Sequence, residues 1–238
     1  MKDFLNPYSH GFVRLGVATP LVRVGDPQYN LEATAELLQR AARERVLVTV
    51  FPELGLSAYS CEDLFHQQAL LEGAEQALAE LLRRTRDLRA AALVGLPVAR
   101  EGRLFNCAAL IAQGKLIGVV PKIYLPNYRE FYEGRQFTPG DAIALREIRL
   151  AGQTASFGTD LIFRHAESRD FVLHVEICED LWVPAPSEKT KLAFEVAFLV
   201  NRAEMAVTSE ETGAPLCSMN HSAGAPVDIS AAIACAAK

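Results

Sequence analysis

The chain has 238 residues, half of them hydrophobic and 22% charged, with a net charge of −5. That balance excludes a mainly disordered chain and offers nucleic acid no basic surface, while the length suits one large domain with a continuous core. The longest apolar runs, such as Leu116–Val120 and Ala90–Leu96, fall far short of the roughly twenty residues of a bilayer span, and Met1–His10 holds no apolar signal region, so a cytoplasmic protein with no membrane association is expected.

Phe12–Thr19 reads as a strand, and Gly25-Asp26-Pro27 follows as turn chemistry. Leu31, Ala35, Leu38 and Ala42 then recur at helical spacing, predicting an amphipathic helix that ends near Arg45. Arg45–Phe51 is a β-rich run buried on both faces, and Pro52 stops it, which puts Glu53 on a loop past a strand's end. A second helix is expected over Gln67–Arg89, followed by a buried strand over Ala91–Val98. Glu101-Gly102-Arg103 and Gln113-Gly114-Lys115 are turn signals around Leu104–Ala112 and Leu116–Val120, so crossover units give way here to antiparallel strands. Pro121 ends the last of these, with Lys122 just beyond. Pro126–Gly140 is dense in aromatics and charges and reads as a packed loop over a site. Ile143–His165 alternates enough for two strands, and Phe171–Cys178 is a further strand ending at Glu179-Asp180, closed by Trp182 and Pro184.

Beyond Pro186 the composition changes. No aromatic residue follows Phe198, and ten of the last 38 residues are alanine. Strand signals are lacking, which predicts a tail distinct from residues 1–186.

Glu53, Lys122 and Cys178 each follow an apolar strand, and such strand ends are where sites assemble in α/β sheets. A thiol of ordinary pKa needs a base before it can attack, a carboxylate can be that base, and an ammonium can stabilise the negative charge that develops on an attacked amide or nitrile. Taken singly, Cys178 reads as a small buried hydrophobe, Lys122 as a solvated loop charge and Glu53 as a surface or helix-capping carboxylate. The five cysteines lack paired CxxC spacing, which argues against a disulfide framework, and no metal site is expected.

The wording around these residues goes further. Phe51-Pro52-Glu53-Leu54, Pro121-Lys122-Ile123-Tyr124-Leu125-Pro126 and Glu176-Ile177-Cys178-Glu179-Asp180 together resemble the carbon–nitrogen hydrolase (nitrilase) superfamily. Tyr8–Arg14, Tyr128-Arg129-Glu130-Phe131-Tyr132-Glu133, Phe157–Leu161 and Phe171–Asp180 are similar to the amino-terminal glutaminase domain of glutamine-dependent NAD+ synthetases, over residues 7 to about 186. The resemblance implies an α/β fold of the nitrilase type, an α-β-β-α sandwich, here incomplete or altered at its C-terminal end. It implies hydrolysis of the L-glutamine amide through a Cys178 thioester, with Glu53 as general base and Lys122 stabilising the tetrahedral intermediate. Tyr128 matches a glutamine-contacting position, and Tyr59, Phe131, Glu133 and Glu179 are expected to line the pocket, Glu133 being similar to an extra glutamate that many members carry. A homo-oligomer is expected.

The departures shape further expectations. Residues 191–238 match none of the family's usual continuation, and a changed reading frame after about Pro186 would explain this. A synthetase domain, which would bind ATP and nicotinic acid adenine dinucleotide, is expected to be absent from this segment: these 238 residues hold no Ser-Gly-Gly-x-Asp-Ser loop and no Walker segment, so no cofactor is expected in them. The chain as it stands is therefore expected to turn over glutamine weakly or not at all. Alternatives are a stand-alone amidase or nitrilase and an inactive truncated fragment. A papain-like pairing of Cys178 with His174 is disfavoured, because four residues of strand separate them by roughly 13 Å.

Overall fold

The structure, a computed structural model, describes residues 6–10, 12–166 and 171–181, and as backbone strands 197–199, 206–208, 215–218 and 229–235. In chain order these give β1 (Phe12–Ala18), α1 (Pro27–Arg43), β2 (Val48–Val50), a 3-10 segment (Tyr59–His66), α2 (Gln68–Arg84), β3 (Ala91–Arg100), β4 (Arg103–Ala112) and β5 (Lys115–Pro121). There follow α3 (Glu133–Gln136), β6 (Glu147–Leu150), β7 (Gln153–Phe157), β8 (Ile162–Arg164), β9 (Val172–Glu176) and a 3-10 turn at Cys178–Leu181. The described segments beyond residue 190 are β10 (Ala197–Leu199), β11 (Ala206–Thr208), β12 (Pro215–Ser218) and β13 (Ile229–Cys235). One sheet has the order β13-β1-β2-β3-β4-β5-β7-β6 and the other β12-β11-β10-β9-β8.

Local chemistry sets the element ends. The Asp26 side chain accepts from the Tyr29 N–H at 3.0 Å and Pro27 opens α1, a capped start in which the missing proline donor costs nothing. At the other end Arg45 sits at φ 59°, and Arg45 N donates to Ala42 O and Val46 N to Ala41 O, a Schellman closure. This closure takes Arg45 and Val46 out of the expected strand; with Leu47 and Phe51 also outside it, β2 is three residues rather than seven. The hairpin loops Glu101-Gly102, Gln113-Gly114 and Ala151-Gly152 all have positive φ at both positions, as two-residue type I′ turns require. The last of these splits the alternating stretch 143–165 into β6 and β7, which with β8 makes three strands where two were expected.

Period-2 alternation builds the layers. On β3, Ala92, Val94, Leu96 and Val98 join Leu31, Leu38, Leu78 and Leu81 of α1 and α2, whereas Leu93 faces the other way. On β4, Phe105, Cys107, Ala109 and Ile111 face the helices, while Ala108 and Leu110 pack with Phe171, Leu173, Val175 and Ile177 around β9. The result is helices, large sheet, then small sheet, with an apolar seam between the sheets. A helical layer outside the small sheet is not among the described residues.

The absence of strand signals beyond Pro186 does not carry over to the structure. β10 runs parallel to β9, pairing Ala197 with His174, and β13 runs antiparallel to β1, from Phe12–Cys235 to Ala18–Ile229. Alanine has weak strand preference, but open edges at β9 and β1 supply partners, and such context routinely overrides propensity. Trp182 and Pro184 lie outside the described residues, as do the parts of the expected tail, 187–238, that are not in β10–β13. No helix among the described residues is long and apolar enough to cross a membrane.

Candidate active site

Glu53 sits three residues past β2 in a tight turn. Gly55 N donates to Pro52 O, Ser57 N to Leu54 O, and Leu56 N to Gly95 O on β3. Leu54 and Ala58 adopt positive φ, and Leu54 is fully buried with Cys61, Phe65, Leu70 and Phe137 beneath the turn. The Glu53 carboxylate is thereby driven inward and is 2% exposed.

Lys122 is held at both backbone ends: its N–H donates to Asn106 O on β4, and its carbonyl accepts from Gly140 N, both at 2.8 Å. Its parity matches Val120, so the side chain enters the space between the sheets. Far from being a solvated charge, it is 0% exposed. The Nζ lies 2.7 Å from Glu53 Oε1 and 2.7 Å from Glu133 Oε1. Tyr59 donates its hydroxyl to Glu133 Oε1 at 2.7 Å, and Asn106 Nδ2 donates to Glu53 Oε1 at 2.5 Å. Among the described residues, Glu53 Oε2 has no hydrogen-bond partner.

Cys178 opens the turn after β9 with φ 51°, a left-handed conformation that costs a non-glycine residue about 1–2 kcal/mol. Asp180 holds it there. One of its oxygens accepts from Ile177 N at 3.3 Å, and the other accepts from Ile123 N at 3.1 Å and Tyr124 N at 2.8 Å. A single buried carboxylate thus ties the cysteine turn to the segment directly after Lys122. Burial pushes its pKa up to about 6, against the pull of those backbone donors.

Burial raises the Glu53 carboxyl to about 7, with Lys122 pulling it down and Glu133 pushing it up. Burial, then the Glu53 charge, pushes the Cys178 thiol up to about 12, while Lys122 acts the other way. Burial opposes the Lys122 ammonium, but Glu53 and Glu133 hold its pKa above the ordinary lysine value. At neutral pH the set is a protonated thiol, an ammonium and a carboxyl poised to take or give a proton.

The expected rim residues form a connected chain. Tyr59 meets Phe131 edge-on at 6.5 Å, Phe131 meets Tyr128 at 5.8 Å, and Tyr128 donates to Glu179 at 3.0 Å. Tyr128 is half exposed, whereas Glu133, at 4%, lies in the buried cluster itself. The sequence reading missed Asn106 and Asp180. Asn106 is a lone polar residue in an apolar run, on the parity that faces the second sheet, and that was its available signal. His174 is buried on β9, its Nδ1 3.1 Å from Leu161 O. Among the described residues no group of His, Cys, Asp and Glu could hold a metal ion.

Comparison with known proteins places the chain in a family. The sequence pattern of the family described as carbon-nitrogen hydrolase matches residues 14–224. A glutamine-dependent NAD(+) synthetase from Mycobacterium tuberculosis is 44% identical over 184 residues, covering 77% of this chain and 27% of that protein. One from Thermotoga maritima is 31% identical over 179 residues, covering 75% and 27%. The chain therefore spans about a quarter of the length of these relatives. Among solved structures, a glutamine-dependent NAD(+) synthetase from Cytophaga hutchinsonii superposes with a TM-score of 0.74 at 20% identity, over 93% of this chain and 43% of that one. An amidase from Nesterenkonia sp. superposes with a TM-score of 0.64 at 17% identity, over 94% and 91%. With a family pattern that matches residues 14–224, well over half of its length, the chain belongs to the carbon–nitrogen hydrolase family.

Proposed function

We propose that the chain hydrolyses the side-chain amide of L-glutamine through a Cys178 thioester. The observation that carries this reading is the buried Glu53–Lys122 pair, joined through Oε1 at 2.7 Å, with Glu53 Oε2 unpartnered among the described residues and Cys178 within reach of its charge. The sequence identity to glutamine-dependent synthetases supports glutamine as the substrate over simple amides.

In this reading Glu53 Oε2 takes the thiol proton as Sγ bonds to the amide carbon, and the Lys122 ammonium stabilises the resulting oxyanion. Glu53 returns the proton to the amide nitrogen, the C–N bond breaks and ammonia leaves. Water then attacks the thioester, Glu53 takes its proton, and glutamate departs as the thiol is restored. Tyr128, Phe131 and Glu179 at the rim, with Tyr59 and Glu133 below, position the amino-acid end. The ammonia would serve a synthetase domain, where ATP and nicotinic acid adenine dinucleotide bind, in a cytoplasmic homo-oligomer.

The test is glutamate release by the 238-residue chain against Cys178→Ala, alongside treatment with the glutamine-like electrophile diazo-oxo-norleucine. Added mass on the Cys178 peptide is expected. A label on Cys61 or Cys107 with Cys178 untouched refutes the assignment.

A pH dependence follows from Glu53. Its pKa is raised from 4.5 to about 7, so the basic carboxylate is present above that value and lost below it. kcat/KM should climb through about pH 7, and two units lower it should stand roughly 100-fold below its plateau. Full activity at pH 5 would remove Glu53 as the base.

A further inference from the structure

Beyond the exposed Arg103 that opens it, β4 is apolar on both faces except at one buried position. Asn106 is 1% exposed and points, by its parity, into the seam between the sheets. Its backbone is fixed by pairing with Pro97 and by the Lys122 N–H that its carbonyl accepts. Its Nδ2 donates to Glu53 Oε1 at 2.5 Å and more weakly to Glu133 Oε2 at 3.5 Å, while its Oδ1 has no partner among the described residues. A leucine would fill comparable space without burying an amide oxygen that has no donor. What the amide adds is therefore its N–H. Both carboxylates only accept when ionised, so the nitrogen must face them.

Two donors, Asn106 Nδ2 and Lys122 Nζ, converge on Glu53 Oε1, and among the described residues none reaches Oε2. A carboxylate loaded on one oxygen presents the other, unloaded, as its proton acceptor. We propose that Asn106 is a positioning residue that fixes the Glu53 carboxylate so that Oε2 alone receives the Cys178 proton. This rests on Glu53 being the general base. The charged and titratable groups facing Glu53 are Lys122 after β5, Glu133 on α3, Tyr59 on the 3-10 segment and Cys178 after β9. Of the two donors to Glu53 Oε1, Asn106 is the uncharged one. It favours the ionised carboxylate without adding a second cation that would compete for the oxyanion.

The test avoids dependence on substrate. Iodoacetamide alkylates a thiol with loss of iodide, and the thiol proton goes to the local base. The rate of adduct formation on the Cys178 peptide would be followed by mass spectrometry across roughly pH 5–9, a range spanning the Glu53 titration. The proteins compared are the 238-residue chain, Asn106→Leu, Asn106→Asp and Glu53→Gln. Loss of a hydrogen bond to a charged group should move the Glu53-dependent rise upward by about one pH unit in Asn106→Leu. Asn106→Asp, matched in shape but adding a third carboxylate, should move it further, and it carries the test if the leucine variant fails to fold. A merely structural role would lower stability and leave the midpoint in place. A Glu53-dependent rise that keeps its midpoint in the folded Asn106 variants overturns this inference alone. A parent profile identical to that of Glu53→Gln overturns the general-base reading and this inference with it.

Discussion

Lys122→Met is expected to abolish glutamate release and to lower the melting temperature in the same step. The Nζ sits at 0% exposure between two carboxylate oxygens, each 2.7 Å away. Methionine keeps the length and removes the charge, leaving Glu53 and Glu133 buried with no cation between them. Removing one partner of a buried ion pair costs about 3–5 kcal/mol. One of the two carboxylates then takes up a proton, and Glu53, already raised to about 7, is driven higher and ceases to act as a base near neutrality. The oxyanion also loses its ammonium, an effect of about 100- to 1,000-fold by itself. Turnover should therefore fall at least about 1,000-fold, measured as glutamate formed above the Cys178→Ala background with the substitution placed at the matching lysine of an intact homologous protein, since this chain is expected to turn over glutamine weakly. A variant keeping a tenth of the parent rate would show that Lys122 is a structural counter-ion only.

Lys122→Arg should fail as well, for a different reason. The charge is kept, but a planar guanidinium needs more room than a compact ammonium, and the backbone cannot yield. Gly140 lies so close that a Cβ there would be 2.7 Å from Pro121 Cγ, and its N–H holds the Lys122 carbonyl. Overpacking of this kind costs about 1–3 kcal/mol. Because Glu53 and Lys122 act through one shared hydrogen bond, the losses in Glu53→Gln and Lys122→Met should not add in the double variant.

The strand ends that carry the chemistry were legible because each is an apolar run stopped by a proline or an acidic residue. Phe51 before Pro52-Glu53, Val120 before Pro121-Lys122, and Cys178 before Glu179-Asp180 all show this. What the sequence could not convey was depth. Lys122 reads as a solvated loop charge until Asn106 O and Gly140 N are seen pinning its backbone below the surface. Glu179 drew attention as a pocket residue, yet its neighbour Asp180 does the structural work, because its three backbone donors are 57, 56 and 3 residues away. Partners so distant in sequence leave no local pattern. The strands beyond Pro186 were hidden for a related reason: β13 takes its register from the edge of β1, not from its own alanine-rich composition.

Gly95→Ala tests whether the Glu53 turn is placed by space alone. Gly95 lies mid-strand on β3, on the face turned toward the second sheet, and it has no left-handed φ to relieve. A Cβ there would be 2.3 Å from Leu54 N, 2.6 Å from Pro52 O and 2.9 Å from Glu53 C. All three are backbone atoms, so no rotamer change can make way. The turn cannot simply lift, because Leu56 N is bonded to Gly95 O and Phe51 N to Leu93 O. Restoring ordinary contact requires the Pro52–Leu54 segment to retreat by about 1 Å, and a misplacement of that size at a reacting group costs about 100-fold in rate. The expected result is a loss of that order in kcat, a lower melting temperature, and Cys178 alkylation that has lost its Glu53-dependent rise. Gly73→Ala on α2 is the control: its Cβ would come no nearer than 3.4 Å to Pro27, and alanine favours the helix by about 1 kcal/mol. That variant should be at least as stable as the parent and as active. Equal behaviour of the two variants would show that the Glu53 turn has slack, and that something other than its close seating on Gly95 sets the position of the base.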